Sequence, residues 1–417
     1  MSRKHDRPFN PIRARVRVRL PGRLTAIFEE FAGTQAASGI VLLACALIAF
    51  AWANSPWSTA YHHVWEIHVG GSLFGLDLEK SLLHWINDGL MAVFFFLIGL
   101  EIKRELVRGE LSSVRSASLP VVAALGGMLV PALIYLFFTA GKDGSSGWGI
   151  PMATDIAFSL GILALAGDRV PSSLKVFLAA FAIADDLGAV LVIALFYSSG
   201  VSVMALLVGA LAFLAMLAVG RAGVQRSWIY LLLGAALWLA ILASGIHATI
   251  AGVLAAMAIP LRHSPGDEGG PSLLERLEHS LQPWVAYGVM PVFALANAGV
   301  TLEGDGLRGL FHPVTLGAGL GLVVGKFAGL SLFVWLAVRT GFASLPRDAQ
   351  WKHMLGVAML GGVGFTMSLF IAGLAFPSEA LLVQAKVGVL AGSLVAGIAG
   401  WLMCRMPSRM VPVDVAQ

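Results

Sequence analysis

The chain has 417 residues, of which 58% are hydrophobic and 12% are charged, and its formal net charge is +4. A soluble protein carries roughly 25% charged residues, so this composition excludes an ordinary soluble globular protein. Long apolar runs recur from residue 37 onward, many of them about as long as a helix that spans ~30 Å of hydrocarbon. A soluble all-α core would need polar helix faces, which these runs lack. The sequence therefore predicts an all-α polytopic membrane protein.

The apolar runs, taken in chain order, predict about twelve transmembrane helices. Their predicted positions are 37–54, 83–107, 117–139, 148–166, 173–197, 201–219, 228–243, 245–260, 284–301, 313–338, 353–376 and 381–403. Residues 1–36 then form a basic N-terminal tail, residues 37–405 one transmembrane domain, and residues 406–417 a C-terminal tail. The least certain division is "LASGIH" (242–247), a tight uncharged turn.

Basic residues in the loops fix the orientation of these spans. The N-terminal tail "MSRKHDRPFNPIRARVRVRLPGR" is rich in arginine, which places it on the cytoplasmic side. Alternate loops repeat this enrichment, with Lys103, Arg104, Arg108 and Arg115; Arg169 and Lys175; Arg221 and Arg226; Arg262 and Arg276; Arg339, Arg347 and Lys352; and Arg405 and Arg409. The intervening loops hold only Lys80, Lys142 and Arg308. Both termini are thus predicted to be cytoplasmic, with the basic tail contacting anionic membrane lipid rather than nucleic acid.

The first outward loop, residues 55–82, contains a candidate hairpin. Its stretch "WEIHVGGSLFGLDLE" (65–79) alternates apolar and polar residues around Gly70 and Gly71. This pattern predicts a small β-hairpin outside the membrane.

Motifs for cofactors are absent from the sequence. There is no P-loop, zinc motif or dinucleotide fingerprint. Cys45 and Cys404 lie in different spans near opposite faces, so neither a disulfide framework nor a metal cluster is indicated. We expect no cofactor.

Few charged residues lie inside the predicted spans. A charge at mid-membrane costs at least ~2.5–3.5 kcal/mol on insertion scales, so each one needs a reason. Those that indicate a site within the membrane are Asp88, Asp155, Asp185, Asp186 and Lys326, with His247 as a polar companion. A purely structural ion pair would need one acid and one lysine. Three acids in the fourth and fifth spans exceed that need and indicate a functional site.

Two of these acids are adjacent, in "FAIADDLGAVLVIALF" (181–196). Neighbouring positions on a helix differ by ~100° in direction, so Asp185 and Asp186 cannot face the same point. One can meet a partner on another helix while the other lines a cavity. A buried carboxylate can hold a proton or a hard cation such as sodium, which favours oxygen ligands. The pair therefore predicts exchange of protons for sodium at one site.

Two predicted spans carry residues that interrupt helices. "GWGIPMATDIAFSLG" (147–161) has Pro151 ahead of Thr154 and Asp155, and "GVAMLGGVGFTMSLF" (356–370) has three mid-span glycines. They are the central members of spans 3–5 and 10–12, as in transporters built from inverted repeats. Half-helix ends at such breaks carry partial charges, which Asp155 and Lys326 are available to offset.

The sequence resembles the NhaA-type sodium/proton antiporters from about residue 30 to residue 405. The motifs that carry the resemblance are "HWINDGLMAVFFFLIGLEIKRE" (84–105), "PMATDIAFSLGILAL" (151–165), "ADDLGAVLVIALFY" (184–197), "SGIHATIAGV" (244–253), "LEHSLQPWVAYGVMPVFALANAGV" (277–300), "GLVVGKFAGL" (321–330) and "GGVGFTMSLFIAGLAF" (361–376). The aspartate pair alone would be weak evidence, because other cation/proton antiporters also carry it.

The resemblance implies a role for each matching residue at the centre of the membrane. Asp185 and Asp186 would bind sodium or lithium and, alternately, protons, and Lys326 would pair with the first of them. Thr154 and Asp155 would lie where two broken helices cross. The resemblance implies a secondary transporter rather than an enzyme. It would exchange cytoplasmic sodium for external protons by alternating access, with net movement of charge.

The resemblance also implies activation at alkaline pH. The matching positions near the cytoplasmic mouth are Glu101, Glu105, Glu278 and His279. His247 matches a further histidine linked to the pH response, and Asp88 matches an acid near the periplasmic side of the second span. Family members carry a second histidine after the "LEH" triplet, where this chain has Gln282, so its pH threshold is expected to differ. Without the resemblance, the three glutamates would be interpreted as ordinary solvated interface charges.

The setting implied by the resemblance is the inner membrane of a bacterial cell. In the family, a periplasmic hairpin like the one predicted within residues 55–82 contributes to a homodimer contact. The sequence by itself supports only the hairpin.

Two other functions compete with the antiporter. An intramembrane aspartyl protease needs two carboxylates meeting around one water, and the Tyr-Asp and Gly-x-Gly-Asp signatures of that class are absent. A passive sodium channel would expose a continuous pore, whereas broken helices suit alternating access. Proton flux coupled to sodium would separate the antiporter from the channel.

Overall fold

The computed structural model describes residues 22–73, 76–167, 170–198, 200, 202–261, 270–301 and 306–406. The α-helices are α1 (Gly22–Ala53), α2 (Ser58–Glu66), α3 (Leu82–His84), α4 (Met91–Arg108), α5 (Val114–Thr139), α6 (Ile156–Leu165), α7 (Ser172–Phe196), α8 (Val203–Arg221), α9 (Ser227–Ser244), α10 (Ile250–Ala258), α11 (Leu273–Trp284), α12 (Met290–Asn297), α13 (Pro313–Leu320), α14 (Lys326–Arg339), α15 (Trp351–Leu360), α16 (Phe365–Ala375) and α17 (Glu379–Arg405). Helix α1 begins inside the predicted N-terminal tail. Residues 1–21 and 407–417 of the two predicted tails lie outside the described residues.

The protein is an all-α polytopic membrane protein. In the described part of the chain, eight helical stretches are long and apolar enough to cross a membrane, or ten if each of two bent pairs is one span. The sequence count of twelve stays a prediction. The eighth predicted span corresponds to α10, which has nine residues, and the ninth corresponds to a run that begins in the charged helix α11.

Short π-helical segments join several helices into longer spans. They are Trp85–Leu90, Val285–Val289 and Gly321–Gly325. The first connects α3 to α4 and the third connects α13 to α14, so that Leu82–Arg108 and Pro313–Arg339 each form one span of 27 residues. Single π-helical turns occur mostly as bulges within α-helices and are frequent at functional sites.

The predicted hairpin region contains four two-residue strands. They are β1 (His68–Val69), β2 (Ser72–Leu73), β3 (Leu76–Asp77) and β4 (Lys80–Ser81). Strand β1 pairs antiparallel with β4, and β2 pairs antiparallel with β3. Gly70 connects β1 to β2 with a φ of 129°, a conformation that favours glycine. The glycines therefore lie along the paired strands, and residues 74–75 are outside the described residues.

The fourth predicted span is interrupted. A 3₁₀-helix, Ser145–Met152, contains Pro151 and ends before an extended stretch at residues 153–155. Helix α6 then begins with Asp155 as its N-cap, the side chain of which accepts a hydrogen bond from the Phe158 backbone N–H at 3.0 Å. The proline and the N-cap together explain why one helix ends and a second begins inside the membrane.

The eleventh predicted span is also interrupted, between α15 and α16. The two helices are bent by 42° at residues 361–364, where three glycines lie. The breaks meet, because the Asp155 backbone N–H donates to the Val363 carbonyl at 2.7 Å. Each break lies in the middle of a triplet of spans, α5 to α7 and α13 to α17. That the two triplets are inverted repeats of each other stays a prediction.

Helix α5 packs against both α7 and α14, the helices that carry the aspartate pair and the lysine. Its contact with α14 is close at Gly126 and Gly329, where a Cβ on either glycine would lie within 2.4 Å of the other glycine's carbonyl oxygen. This approach of two backbones places the lysine of α14 within reach of the aspartates of α7.

Candidate functional site

A buried ion pair lies between α7 and α14. Lys326 Nζ is 2.8 Å from Asp185 Oδ1 and 2.7 Å from Asp185 Oδ2, and both side chains are fully buried. The ammonium also lies 5.4 Å from the ring centroid of Phe181, one turn before Asp185 on α7. A buried carboxylate and ammonium compensate each other only in close geometry of this kind. Lys326 thus meets the first aspartate of the pair.

Asp186 has different surroundings from its neighbour. It is fully buried, and neither carboxylate oxygen has a hydrogen-bond partner among the residues that the structure describes. Its electrostatic neighbours are Asp185, Asp155, Glu101 and Lys326. An isolated buried carboxylate is costly unless a proton or a cation neutralises it. The two aspartate side chains therefore diverge, as helix geometry predicts: Asp185 pairs with Lys326, and Asp186 does not.

Asp155 connects the two broken spans. Its Oδ1 caps α6, and its Oδ2 accepts hydrogen bonds from the backbone N–H of Thr366, at 3.2 Å, and from the Thr366 hydroxyl. These donors lie in the first turns of α6 and α16. The carboxylate of Asp155 therefore lies where two helix N-termini converge, an arrangement that favours negative charge.

Thr154 lies between the break and the ion pair. Its hydroxyl donates to the Gly361 carbonyl at 2.8 Å, and its backbone and side chain also contact the Asp185 carboxylate. The structure thus brings together five predicted residues at the meeting point of the breaks, namely Thr154, Asp155, Asp185, Asp186 and Lys326. Within the described residues, no group of three or more His, Cys, Asp or Glu side chains could hold a metal ion. The two aspartates remain the groups predicted to hold a transported ion.

A second cluster of charges lies at the arginine-rich end of α4. Arg104 is 3.1 Å from Glu278 and 3.3 Å from Glu105, and it also interacts with Glu101. Burial raises the pKa of Glu278 above its ordinary value of 4.5, while Arg104 and the neighbouring His279 oppose this rise. His279 itself is exposed. The four predicted pH-response residues of this end are therefore grouped around Arg104.

The other two predicted residues lie at the opposite end of the span that contains α4. Asp88 belongs to the π-helical segment before α4 and is 3.1 Å from His84. His247 lies between α9 and α10 and interacts electrostatically with Asp88 and His84. Trp238 donates a hydrogen bond to the Asp88 carbonyl at 3.2 Å. The predicted site residues thus form three separate groups, two near helix ends and one at the centre.

Sequence reasoning missed several residues of these groups. Thr366 and Phe181 contact the central site, Arg104 organises one outer cluster and His84 belongs to the other. Arg104 lies next to Glu105 in the sequence, where its charge indicates only the orientation of the span. Thr366 lies just after the glycine break, where the first turn of a helix was predictable, but its contact with Asp155 depends on how the two broken spans meet.

Comparison with known proteins identifies the family. The model of the family described as Na+/H+ antiporter 1 matches residues 29–404. The chain belongs to this family. Its sequence is similar to proteins named Na(+)/H(+) antiporter NhaA from Oleidesulfovibrio alaskensis (48% identical, covering 93% of this chain and 95% of the relative), Nitrobacter hamburgensis (50%, covering 94% and 95%) and Albidiferax ferrireducens (53%, covering 89% and 95%).

The resemblance to NhaA-type antiporters is therefore confirmed over nearly the whole chain. The relatives are named as transporters, which agrees with the prediction of transport rather than catalysis. The roles of individual residues in this antiporter family member stay predictions.

Proposed function

We propose that this chain is a secondary antiporter that exchanges cytoplasmic sodium, or lithium, for external protons by alternating access. The observation that carries the proposal is Asp186, a fully buried carboxylate without a hydrogen-bond partner among the described residues, next to the compensated Asp185–Lys326 pair. Membership of a sodium/proton antiporter family supports the choice of ions.

Asp186 is the proposed place of exchange. Open to the external side, its carboxylate takes up a proton and becomes neutral. Open to the cytoplasm, it releases this proton and its oxygens bind a sodium ion, a hard cation that favours oxygen ligands. Asp185 takes part when its bond to Lys326 is exchanged for bonds to the ion. Lys326 releases a second proton when it gives up this bond, so more than one proton crosses per sodium and each cycle moves net charge.

The two broken spans are the proposed moving part. Non-helical backbone is tolerated at membrane depth only when it is buried in protein or lines a cavity. Residues 153–155 and 361–364 meet this condition where they contact each other. Because the ion site lies beside this contact, a shift of the broken spans would alter access to Asp186 from either side.

We further propose the setting predicted from the loop charges and the family. The transmembrane domain, residues 37–405, lies in a bacterial inner membrane with the tails 1–36 and 406–417 in the cytoplasm. The loop 55–82 with its paired strands lies on the periplasmic side and contributes to a homodimer. The arginine-rich end of α4 then faces the cytoplasm, and the cluster around Arg104 is the proposed sensor for activation at alkaline pH.

The geometry argues against an aspartyl protease. Both carboxylate oxygens of Asp185 accept hydrogen bonds from Lys326, a pairing that has no role in the chemistry of a protease dyad. Asp155 is likewise bound by the first turns of two helices.

Transport by purified protein in liposomes tests the proposal. A pH gradient reported by a fluorescent dye is expected to dissipate on addition of sodium or lithium, and not potassium, between about pH 6.5 and 9. Dissipation should speed up when the membrane potential is clamped, because the cycle moves net charge. A potassium response as large as that of sodium would refute the substrate assignment. Sodium flux without proton flux would indicate a channel.

Binding to a variant locates the exchange at Asp186. Asp186→Asn keeps the shape of the side chain and cannot titrate, so we expect it to insert normally, to lose sodium binding and to release no protons. Isothermal titration with sodium or lithium at alkaline pH, in buffers of different ionisation enthalpy, measures both quantities. Binding and proton release equal to those of the unmodified protein would place the exchange elsewhere.

A further inference from the structure

Two serine hydroxyls link the broken spans in a reciprocal way. Ser159, on α6, donates to the Leu360 carbonyl at 2.9 Å, and Leu360 is the last residue of α15. Ser368, on α16, donates to the Ile150 carbonyl at 2.7 Å, and Ile150 lies in the 3₁₀-helix that precedes the first break. Each broken span thus donates a hydroxyl to the C-terminal half-helix end of the other. Both serines are fully buried.

The accepting carbonyls lie at helix ends, where the Leu360 carbonyl also accepts a hydrogen bond from the Val363 backbone N–H at 3.0 Å. The last carbonyls of a helix have no partner within the helix, and at membrane depth no bulk water replaces that partner. Carbonyls at helix C-terminal ends also carry partial negative charge, which favours a hydrogen-bond donor beside them. A hydroxyl donated from the opposite span satisfies such a carbonyl and at the same time joins the two spans.

Both hydrogen bonds lie close to Asp155. The Ser159 backbone N–H donates to the Asp155 carbonyl at 3.0 Å, one turn into α6. Ser368 follows two residues after Thr366, which binds the Asp155 carboxylate. A change in either serine bond would therefore shift an element that holds Asp155 and, through Thr154, the Asp185 carboxylate.

We propose that Ser159 and Ser368 are positioning residues for ion exchange. Their reciprocal hydrogen bonds hold the two breaks as one rigid unit, which keeps Asp155, Asp185 and Asp186 in register while access alternates. This inference deepens the proposed function and rests on it. A serine that merely capped a carbonyl in its own neighbourhood would instead stabilise one span only.

The test compares Ser159→Ala, Ser368→Ala and the double variant with Thr139→Val. Thr139 is a matched control, because it is also fully buried and its hydroxyl donates only within its own helix, to the Tyr135 carbonyl at 2.9 Å. We expect Ser368→Ala to raise the KM for sodium about tenfold, the size of effect expected for a buried carbonyl that loses its donor. Ser159→Ala should raise the KM less, because the Leu360 carbonyl keeps the hydrogen bond from the Val363 backbone N–H. The maximal rate should change less. The double variant should show less than the product of the two single effects, because residues that act as a unit are not additive.

Hydrogen exchange measured by mass spectrometry supplies a second readout that does not depend on transport. If the serines join the spans, either substitution should accelerate amide exchange in both breaks, near residues 150–155 and 360–366. Faster exchange confined to the substituted span, or a KM for sodium that stays at the control value, would overturn the inference. Should an alanine variant fail to fold, Ser159→Cys or Ser368→Cys takes its place, because the slightly larger thiol fills the site and is only a weak donor.

Failure of the proposed antiport function can be distinguished from failure of the inference about the two serines. Unmodified protein would then show no sodium-driven proton movement, while the hydrogen-exchange comparison would still decide whether the two serines join the spans.

Discussion

Asp185 and Asp186 are adjacent in the chain, and the helix that carries them gives them opposite surroundings. Asp185 points to α14 and is bound on both oxygens by Lys326. Asp186, rotated by ~100°, faces other acids and has no hydrogen-bond partner within the described part of the chain. Lys326 thus compensates the charge of Asp185, whereas Asp186 has no such partner in the described part of the chain.

The Lys326–Asp185 pair should behave as a unit in stability measurements. Removing one partner of a buried ion pair leaves an uncompensated charge and costs about 3–5 kcal/mol. Lys326→Ala is therefore expected to lower the thermal stability of the detergent-purified protein markedly, because both side chains are fully buried. Adding Asp185→Asn to this variant should restore part of the stability, since the stranded carboxylate becomes neutral.

A double-mutant cycle decides this point. The measurement is the unfolding midpoint of the two single variants, the double variant and the unmodified protein. If the double variant were no more stable than Lys326→Ala, the pair would not be a stabilising unit, and Lys326 would act mainly on the half-helix ends.

At the scale of elements, the breaks depend on glycines that allow close approach of backbones. Gly362, between α15 and α16, lies against the π-helical segment that leads to Lys326. A Cβ at Gly362 would lie 2.3 Å from the Leu322 carbonyl oxygen, a distance that requires the backbone to move. The position of the second break is therefore coupled to the span that carries the lysine.

Gly362→Ala is expected to destabilise the protein and to impair transport. Overpacking in a tight interior typically costs about 1–3 kcal/mol. Gly373→Ala is the matched control, because it lies in α16 and a Cβ there would meet nothing within 4 Å. The control should stay within ~0.5 kcal/mol of the unmodified protein. Equal unfolding midpoints for the two alanine variants, measured by differential scanning fluorimetry, would contradict the packing argument.

The sequence could predict the elements of the site better than its contacts. Charges inside apolar runs and a proline or glycines at mid-span are local signals, so Asp155, Lys326 and both breaks could be found from the chain. Helix periodicity predicted that the two aspartates diverge, but not which of them meets Lys326. The bonds of Thr366, Ser159 and Ser368 depend on the crossing of two distant spans, and nothing local to these residues indicates them. The π-helical segments likewise have no pattern that separates them from ordinary helix.

At the scale of the whole molecule, titratable groups lie at both ends of one span and the candidate ion site lies beside its middle. His84 and Asp88 are at one end of Leu82–Arg108, and Arg104 with its acidic partners is at the other. Helix α4 packs against α7, which carries Asp185 and Asp186. Helix α4 therefore connects the arginine-rich cluster to the helix that carries the candidate ion site.

Glu278 provides the test of this coupling. Burial raises the pKa of Glu278, so it ionises at higher pH than an ordinary carboxyl. The groups that act on it are Glu101, Glu105 and Arg104 from α4, and Glu275 and His279 from its own helix. In the proposed sensor, the ionised form pairs with Arg104 and supports the active state, so that activity rises with pH through this ionisation.

Glu278→Gln fixes this position in the neutral, acid-like form. We expect its sodium/proton exchange to lose much of the alkaline rise, or to show that rise at higher pH, while the sodium affinity measured at the most alkaline pH stays close to that of the unmodified protein. Glu110→Gln is the control, because Glu110 is exposed and near the same end of α4. The measurement is the initial exchange rate in proteoliposomes against the pH of the cytoplasmic side, from about 6.5 to 9, at fixed external pH. Profiles that coincide for Glu278→Gln and Glu110→Gln would show that ionisation of Glu278 does not control the antiporter.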